Sequence, residues 1–143
     1  MCIRDRSCTS RVTTDHDTLK AMKEAGCRLL IVGYESGDPQ ILKNIKKGAT
    51  IQMAERFTEN CRKLGLVIHG DFIVGLPGET HESIRKTIDF AKKLDNETIQ
   101  VSIAHPYPGT EFYAVSYTHL DVYKRQRLHR PSLPGSPRRR MVE

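Results

Sequence analysis

The stretch His69-Gly-Asp-Phe-Ile-Val-Gly-Leu-Pro-Gly-Glu-Thr80 decides the fold. Leu66-Val67-Ile68 leads into it, and Phe72-Ile73-Val74 continues the apolar run. A short run of β-branched and aromatic residues bounded by Gly and Pro reads as a buried strand. Gly75, Pro77 and Gly78 stop the strand and turn the chain. Glu79 and Thr80 then open a helix, where a hydroxyl can cap orphan N–H groups and an acid suits the positive end of the dipole. The unit is strand, glycine-rich turn, helix. Parallel α/β folds place ligands at the carboxyl end of such a strand.

Outward from this unit, helices and strands alternate. Before it, Ile51, Ala54, Phe57, Cys61 and Leu64 recur at helical spacing, and Gly65 ends that helix. Residues 28–34 contain Leu29-Leu30-Ile31-Val32, a buried strand expected to stop at Gly33-Tyr34-Glu35-Ser36-Gly37. Asp38-Pro39 supplies an N-cap and a first helical residue for a short helix bearing Ile41, Leu42 and Ile45, which Lys46-Lys47-Gly48 closes. Further back, Thr14 is the expected N-cap of a helix with Leu19, Met22 and Ala25 on its apolar face, and residues 9–12 read as the tail of a strand.

After the turn, Ile84, Ile88, Ala91 and Leu94 mark one helix face. Residues 98–104 alternate, Ile99, Val101 and Ile103 against Gln100, Ser102 and Ala104, and close on His105-Pro106-Tyr107-Pro108-Gly109-Thr110. Strands joined by helical crossovers predict parallel neighbours with helices on one side. The fold class is therefore α/β, a partial (β/α) barrel with parallel strands, because a whole barrel needs about 250 residues.

Charge and codon structure set the ends apart. The chain has 143 residues and a formal net charge of +6. Residues 8–114 hold 14 Lys and Arg against 14 Asp and Glu, a net of zero, so the excess belongs to the two ends. Met1-Cys-Ile-Arg-Asp5 and Asp121-Val-Tyr-Lys-Arg-Gln126 can both be encoded around ATGTGTATAAGAGAC, in different frames. Val115-Ser-Tyr-Thr-His-Leu120 fits much of its reverse complement. An inverted repeat of this kind resembles the transposon end used as a sequencing-library adaptor, and such scars are set aside in fold reasoning. The expected organisation is residues 1–7 as an adaptor-like scar, 8–113 as the partial barrel, and 114–143 as an adaptor-like and read-through tail that packs poorly.

The balanced core gives no electrostatic footprint for nucleic acid. No apolar run is long enough to span a membrane. Cys8, Cys27 and Cys61 have no metal-ligand spacing and read as reduced small hydrophobes in a cytoplasmic chain. No metal ligand and no catalytic residue is identified.

Three loops leave strand ends on one face: residues 33–37, 75–80 and 105–110. Glu35, between Gly33 and Gly37, is the sharpest candidate, as a carboxylate for hydroxyl or ammonium donors or as a helix cap. Ser36 is also a common turn residue. Asp71 either points into the barrel or pairs with a neighbouring base. His69 and His105 read as structural. Tyr107 either stacks on a planar ring or packs. Gly75 to Gly78 resembles a phosphate cradle only loosely, with no GxGxxG and no Walker lysine. Another parallel-barrel ligand-binding enzyme and a non-catalytic binding domain remain alternatives.

Gly33-Tyr-Glu-Ser-Gly37, Ile45-Lys-Lys-Gly48, Asp71-Phe-Ile-Val-Gly-Leu-Pro-Gly-Glu-Thr80 and Pro106-Tyr-Pro-Gly-Thr110, in this order, resemble the radical S-adenosylmethionine (SAM) enzymes. The subgroup most resembled carries a cobalamin-binding domain. Within it, Asn44-Ile-Lys-Lys-Gly48, His69-Gly70 and Thr98-Ile-Gln-Val-Ser102 are similar to the hopanoid biosynthesis-associated group. The resemblance implies the C-terminal part of a radical SAM core. It implies that the parent enzyme cleaves SAM reductively at a (4Fe-4S) cluster to start radical chemistry on a small-molecule or lipid substrate, with an electron donor for the cluster. It also implies that Glu35 and Ser36 contact the ribose or the methionine amino group, that Ile73, Val74 and Gly75 lie along the adenine, and that Pro106, Tyr107 and Gly109 surround it. The CxxxCxxC cluster loop has no counterpart here, so the cluster ligands and any cobalamin domain are expected outside this chain, leaving it inactive alone.

Overall fold

The structure is a computed structural model that describes residues 6–114. The chain divides into two units, residues 1–104 and 105–143. The expectations for residues 1–5 and 115–143 lie outside the described residues. The first unit runs β1 (Arg6–Ser10), α1 (His16–Glu24), β2 (Cys27–Glu35), α2 (Pro39–Asn44), α3 (Ile51–Lys63), β3 (Val67–Val74), α4 (His81–Leu94) and β4 (Thr98–Ile103). The four strands form one sheet in sequence order, and every neighbouring pair is parallel. This is the expected α/β arrangement of parallel strands joined by helical crossovers.

The first strand shifts the bounds of the expected 9–12 segment. β1 lies earlier, and Arg6 and Ser7, placed in the scar, pair with Cys27 and Leu29. Val12 misled because it is buried, yet it packs from the turn after the strand.

One face of the sheet carries the core. Leu30, Val32 and Tyr34 of β2 and Ile68 and Phe72 of β3 cluster with Leu19 of α1, Ala54, Phe57 and Cys61 of α3, and Phe90 and Leu94 of α4. Alternation along a strand then turns Ile31, Gly33, His69, Asp71 and Ile73 to the opposite face. β2 also runs further than expected, through Gly33, Tyr34 and Glu35. Tyr34 is core rather than loop: it stacks on Phe72 at 5.5 Å, and its hydroxyl meets Thr58 Oγ1 at 2.6 Å. Burial pushes the Tyr34 phenol up to about 12, so it stays a donor.

Two helix readings need correction. The N-cap of α1 is Asp15, which accepts from Thr18 N–H at 2.9 Å, whereas Thr14 donates its hydroxyl to Arg11 O. In α4 the buried positions are Ser83, Thr87, Phe90 and Leu94, and Ile88 is 49% exposed. Ser83 and Thr87 can line the buried face because both are satisfied locally, Ser83 in a capping box with Thr80 and Thr87 on Ser83 O. Ile88 instead shares an open groove with Ile99 and Val101 of β4. β4 alternates as expected, and its apolar residues Ile99, Val101 and Ile103 are all exposed.

The Asp38-Pro39 cap is as expected. Asp38 Oδ1 accepts from Gln40 and Ile41 N–H, and Oδ2 takes Lys86 Nζ at 3.1 Å. Burial pushes this carboxyl up, but the Lys86 and backbone hydrogen bonds outweigh it and hold it below the usual range. A depressed folded pKa contributes stability that is complete above the unfolded value and is lost as pH falls through the folded one. Asp38→Ala is expected to cost about 1 kcal/mol at neutral pH. It should also flatten the acid limb of a stability–pH profile measured by urea unfolding; an unchanged limb would contradict this account.

In the second unit, the described residues turn through Gly109 at φ 87° and begin a helical turn at 111–114. Thr110 Oγ1 donates to Tyr107 O at 2.7 Å, and Tyr113 N–H donates to Thr110 Oγ1.

Candidate ligand site at the strand ends

The site grows from an irregularity in β2. Gly33 pairs in register with Asp71, but the register shifts before Glu35, which pairs with Phe72. Glu35 takes a left-handed backbone, φ 66°. The shift leaves Tyr34 pointing into the core and turns the Glu35 carboxylate back over Gly33. An alanine Cβ at Gly33 would stand 2.5 Å from Glu35 Oε1 and 3.0 Å from Lys47 Nζ, so glycine clears the seat that this pair occupies.

Lys47 Nζ donates to Glu35 Oε1 at 2.6 Å, and the two side chains are 23% and 17% exposed. Lys47 N–H bonds Leu42 O, which fixes the chain just past α2. The sequence reading treated Lys47 as the basic end of a helix and missed this role. The available signal was a lysine before a glycine, in the loop that returns from the short helix following β2. The helix-cap alternative for Glu35 is not what forms, since Asp38 caps α2.

Asp71 adjoins this pair, one strand over from Gly33. Its Oδ1 is buried and has no hydrogen-bond partner among the described residues, but His69 Nε2 stands 3.4 Å away. Asp71 thus lies on the face of β3 turned away from the core, and His69 is the base beside it. His69 Nδ1 in turn meets Thr98 Oγ1 at 2.7 Å.

The turn after β3 is held by Glu79, whose Oε2 accepts from Gly75 N–H and from Leu76 N–H. Glu79 precedes the N-cap Thr80, so it organises the turn rather than the first turn of α4. Gly75 takes φ 84° and is exposed, and a Cβ added there would be in ordinary contact with Ala104 and Ile103 at 3.9 Å. Ile73 and Val74 are half-buried, and Val74 O accepts from Ala104 N–H at 2.7 Å.

Ser36 differs from its neighbours. It is fully buried, its hydroxyl meets Thr87 Oγ1 at 3.1 Å, and it accepts from Asp38 N–H. A direct ligand contact would require those bonds to open. Pro106, Tyr107 and Gly109 belong to the second unit, where Tyr107 is 68% exposed and stands edge-on to His105 at 6.0 Å.

Within the first unit, then, Glu35, Lys47 and Asp71 gather on the helix-free face near the carboxyl ends of adjacent strands. Two acceptors and one cation fit a ligand that offers hydroxyl and ammonium donors together with one carboxylate. SAM carries that set of groups, and these three side chains match it in donor and acceptor chemistry. A cluster does not fit the described residues: none of them form a group of three His, Cys, Asp or Glu able to hold a metal, and Cys27 and Cys61 are buried.

The Radical SAM superfamily profile matches residues 3–91. The chain belongs to the radical SAM superfamily, a superfamily of enzymes. An uncharacterized methyltransferase from Pyrococcus horikoshii is 46% identical over 106 residues, 73% of this chain and 23% of its own length. Bacteriochlorophyllide d C-8(2)-methyltransferase from Chlorobaculum tepidum is 35% identical over 102 residues, 69% of this chain and 22% of its own. Among solved structures, the radical SAM methyltransferase TsrM from Kitasatospora setae, with cobalamin and a (4Fe-4S) cluster bound, superposes with a TM-score of 0.66 at 26% identity, covering 72% of this chain and 21% of that one. Coproporphyrinogen III oxidase from Escherichia coli, at 19% identity and a TM-score of 0.69 over 84% of this chain and 30% of that one, shares the fold. This chain thus spans less than a quarter of the curated relatives' length.

Proposed function

We propose that this chain is the SAM-binding part of a cobalamin-type radical SAM methyltransferase. The observation that carries the reading is the Glu35 carboxylate, seated over Gly33 with Lys47 on one oxygen and Asp71 on the adjoining strand. SAM, when bound, supplies a sulfonium whose S–C bond breaks on one-electron reduction. The chain's own residues do the holding. Glu35 and Asp71 accept from the ribose hydroxyls or the ammonium, and Lys47 donates to the methionine carboxylate. Gly75 lets the adenine lie against bare backbone beside Ile73 and Val74. Ser36 supports the loop from beneath.

The finer reading is a lipid substrate of the hopanoid type, supported by the residue patterns at Asn44 to Gly48, His69-Gly70 and Thr98 to Ser102. It includes an electron donor for a cluster held outside the described residues, a cytoplasmic location, and a chain that is inactive alone. Residues 1–7 and 114–143 are read as adaptor-derived, which resequencing of the source DNA would test.

Losing a hydrogen bond to a charged group costs about 1.5–3 kcal/mol. At 1.4 kcal/mol per decade, Glu35→Gln in the whole, cluster-loaded parent is expected to weaken SAM binding by roughly ten- to a hundredfold. Calorimetric titration of wild type and variant checks this. Equal affinity would remove Glu35 from the site.

A further inference from the structure

We infer that His69 is a positioning residue for Asp71, seated from β4 by Thr98; the inference rests on the SAM-binding reading, in which Asp71 is a ligand acceptor. His69 and Asp71 stand on the same face of β3, two residues apart, and Thr98 is the register partner of His69 on β4. The imidazole therefore bridges two strands. Its Nδ1 meets Thr98 Oγ1 at 2.7 Å, and its Nε2 stands 3.4 Å from Asp71 Oδ1.

The assignment of protons follows from the donor inventory. A carboxylate only accepts, so the ring nitrogen that faces Asp71 carries the hydrogen. In the neutral ring the other nitrogen then accepts, and the Thr98 hydroxyl donates to it. This arrangement gives an account of an otherwise costly atom. Asp71 Oδ1 is buried without a hydrogen-bond partner among the described residues, and such atoms call for an explanation. His69 Nε2 stands 3.4 Å from that oxygen, and turning the ring would aim its N–H at Oδ1. With Oδ1 committed to His69, Oδ2 is the oxygen left for a ligand. Sites of this kind need supporting groups that fix the rotamer of the contact residue.

The test uses the full 143-residue chain and two readouts. Ring nitrogen NMR reports the His69 tautomer without any ligand. The expected result is the Nε2–H tautomer, with its Nε2 signal displaced by Asp71→Asn and its Nδ1 signal by Thr98→Val. An Nδ1–H tautomer, or signals indifferent to both substitutions, would overturn the proposal. The second readout is SAM titrated against backbone amide shifts at Gly33 and Gly75. Asp71→Asn is expected to weaken binding by roughly ten- to a hundredfold, the scale of a lost bond to a charged group, and His69→Ala by about five- to tenfold. His69→Gln, whose amide can stand in for Nε2–H, should recover affinity to within about twofold. His69→Ala binding like wild type while Asp71→Asn is weak would reject the positioning role and leave the SAM site standing. No shift with SAM in the wild type would reject the SAM site, and with it a ligand role for Asp71, whatever the tautomer. Circular dichroism of each variant separates these results from unfolding.

Discussion

Phe72→Ala is expected to lower the unfolding free energy by about 3–5 kcal/mol, the range for deleting a buried aromatic ring. Phe72 is 1% exposed and lies at the centre of an aromatic trio, stacked on Tyr34 and edge-on to Phe90 at 6.4 Å. The remaining partners are fixed to different elements, β2 and α4, so they cannot easily close the cavity. Domains of this size have only about 5–15 kcal/mol of net stability. Urea unfolding should therefore show a large fall in midpoint or the loss of a cooperative transition. A midpoint within experimental scatter of wild type would mean that the core closes without this ring.

Gly37→Ala is expected to cost about 3 kcal/mol, the upper end for overpacking. The added Cβ would stand 2.6 Å from Lys86 O, 2.6 Å from Phe90 Cβ and 2.8 Å from Thr87 Cα. Those atoms belong to the α4 backbone and its first side-chain carbon, so the whole helix would have to shift. Gly33→Ala is the matched control, because the atoms nearest its Cβ are the flexible tips of Glu35 and Lys47. Thermal unfolding of both variants should show a loss at Gly37 and little at Gly33. Equal losses would mean that the seat under Glu35 is also a packing contact.

The contrast between these glycines shows what the sequence could and could not disclose. Both flank Glu35 and both read as loop glycines, yet one clears room for a carboxylate and the other for a helix. Strand 67–74 was legible because apolar β-branched residues bounded by Gly and Pro leave few alternatives. The caps at Asp38 and Thr80 were legible because their chemistry is local. The buried face of α4 was not. Thr87 and Ser83 are polar by composition and become tolerable inside only through hydrogen bonds that a residue pattern does not display.

The candidate site divides in the same way. Glu35 could be picked out from its place after a buried strand. Lys47 could not, because its partner is 12 residues away and is reached only once α2 has folded back. His69 and Asp71 were read separately, because what brings them together with Thr98 is strand alternation and the register of β3 against β4.

The left-handed backbone at Glu35 sets two kinds of selection against each other. A non-glycine residue held at φ 66° gives up roughly 1–2 kcal/mol relative to an ordinary conformation. Glycine would relieve that strain and asparagine would bear it better, but neither offers a carboxylate that reaches back to Lys47. A library sorted only for heat resistance would therefore drift away from glutamate at this position, and stabler survivors would lose the ligand. Retention of Glu35 across natural variants would, by the same reasoning, measure how strongly function outweighs stability in this chain.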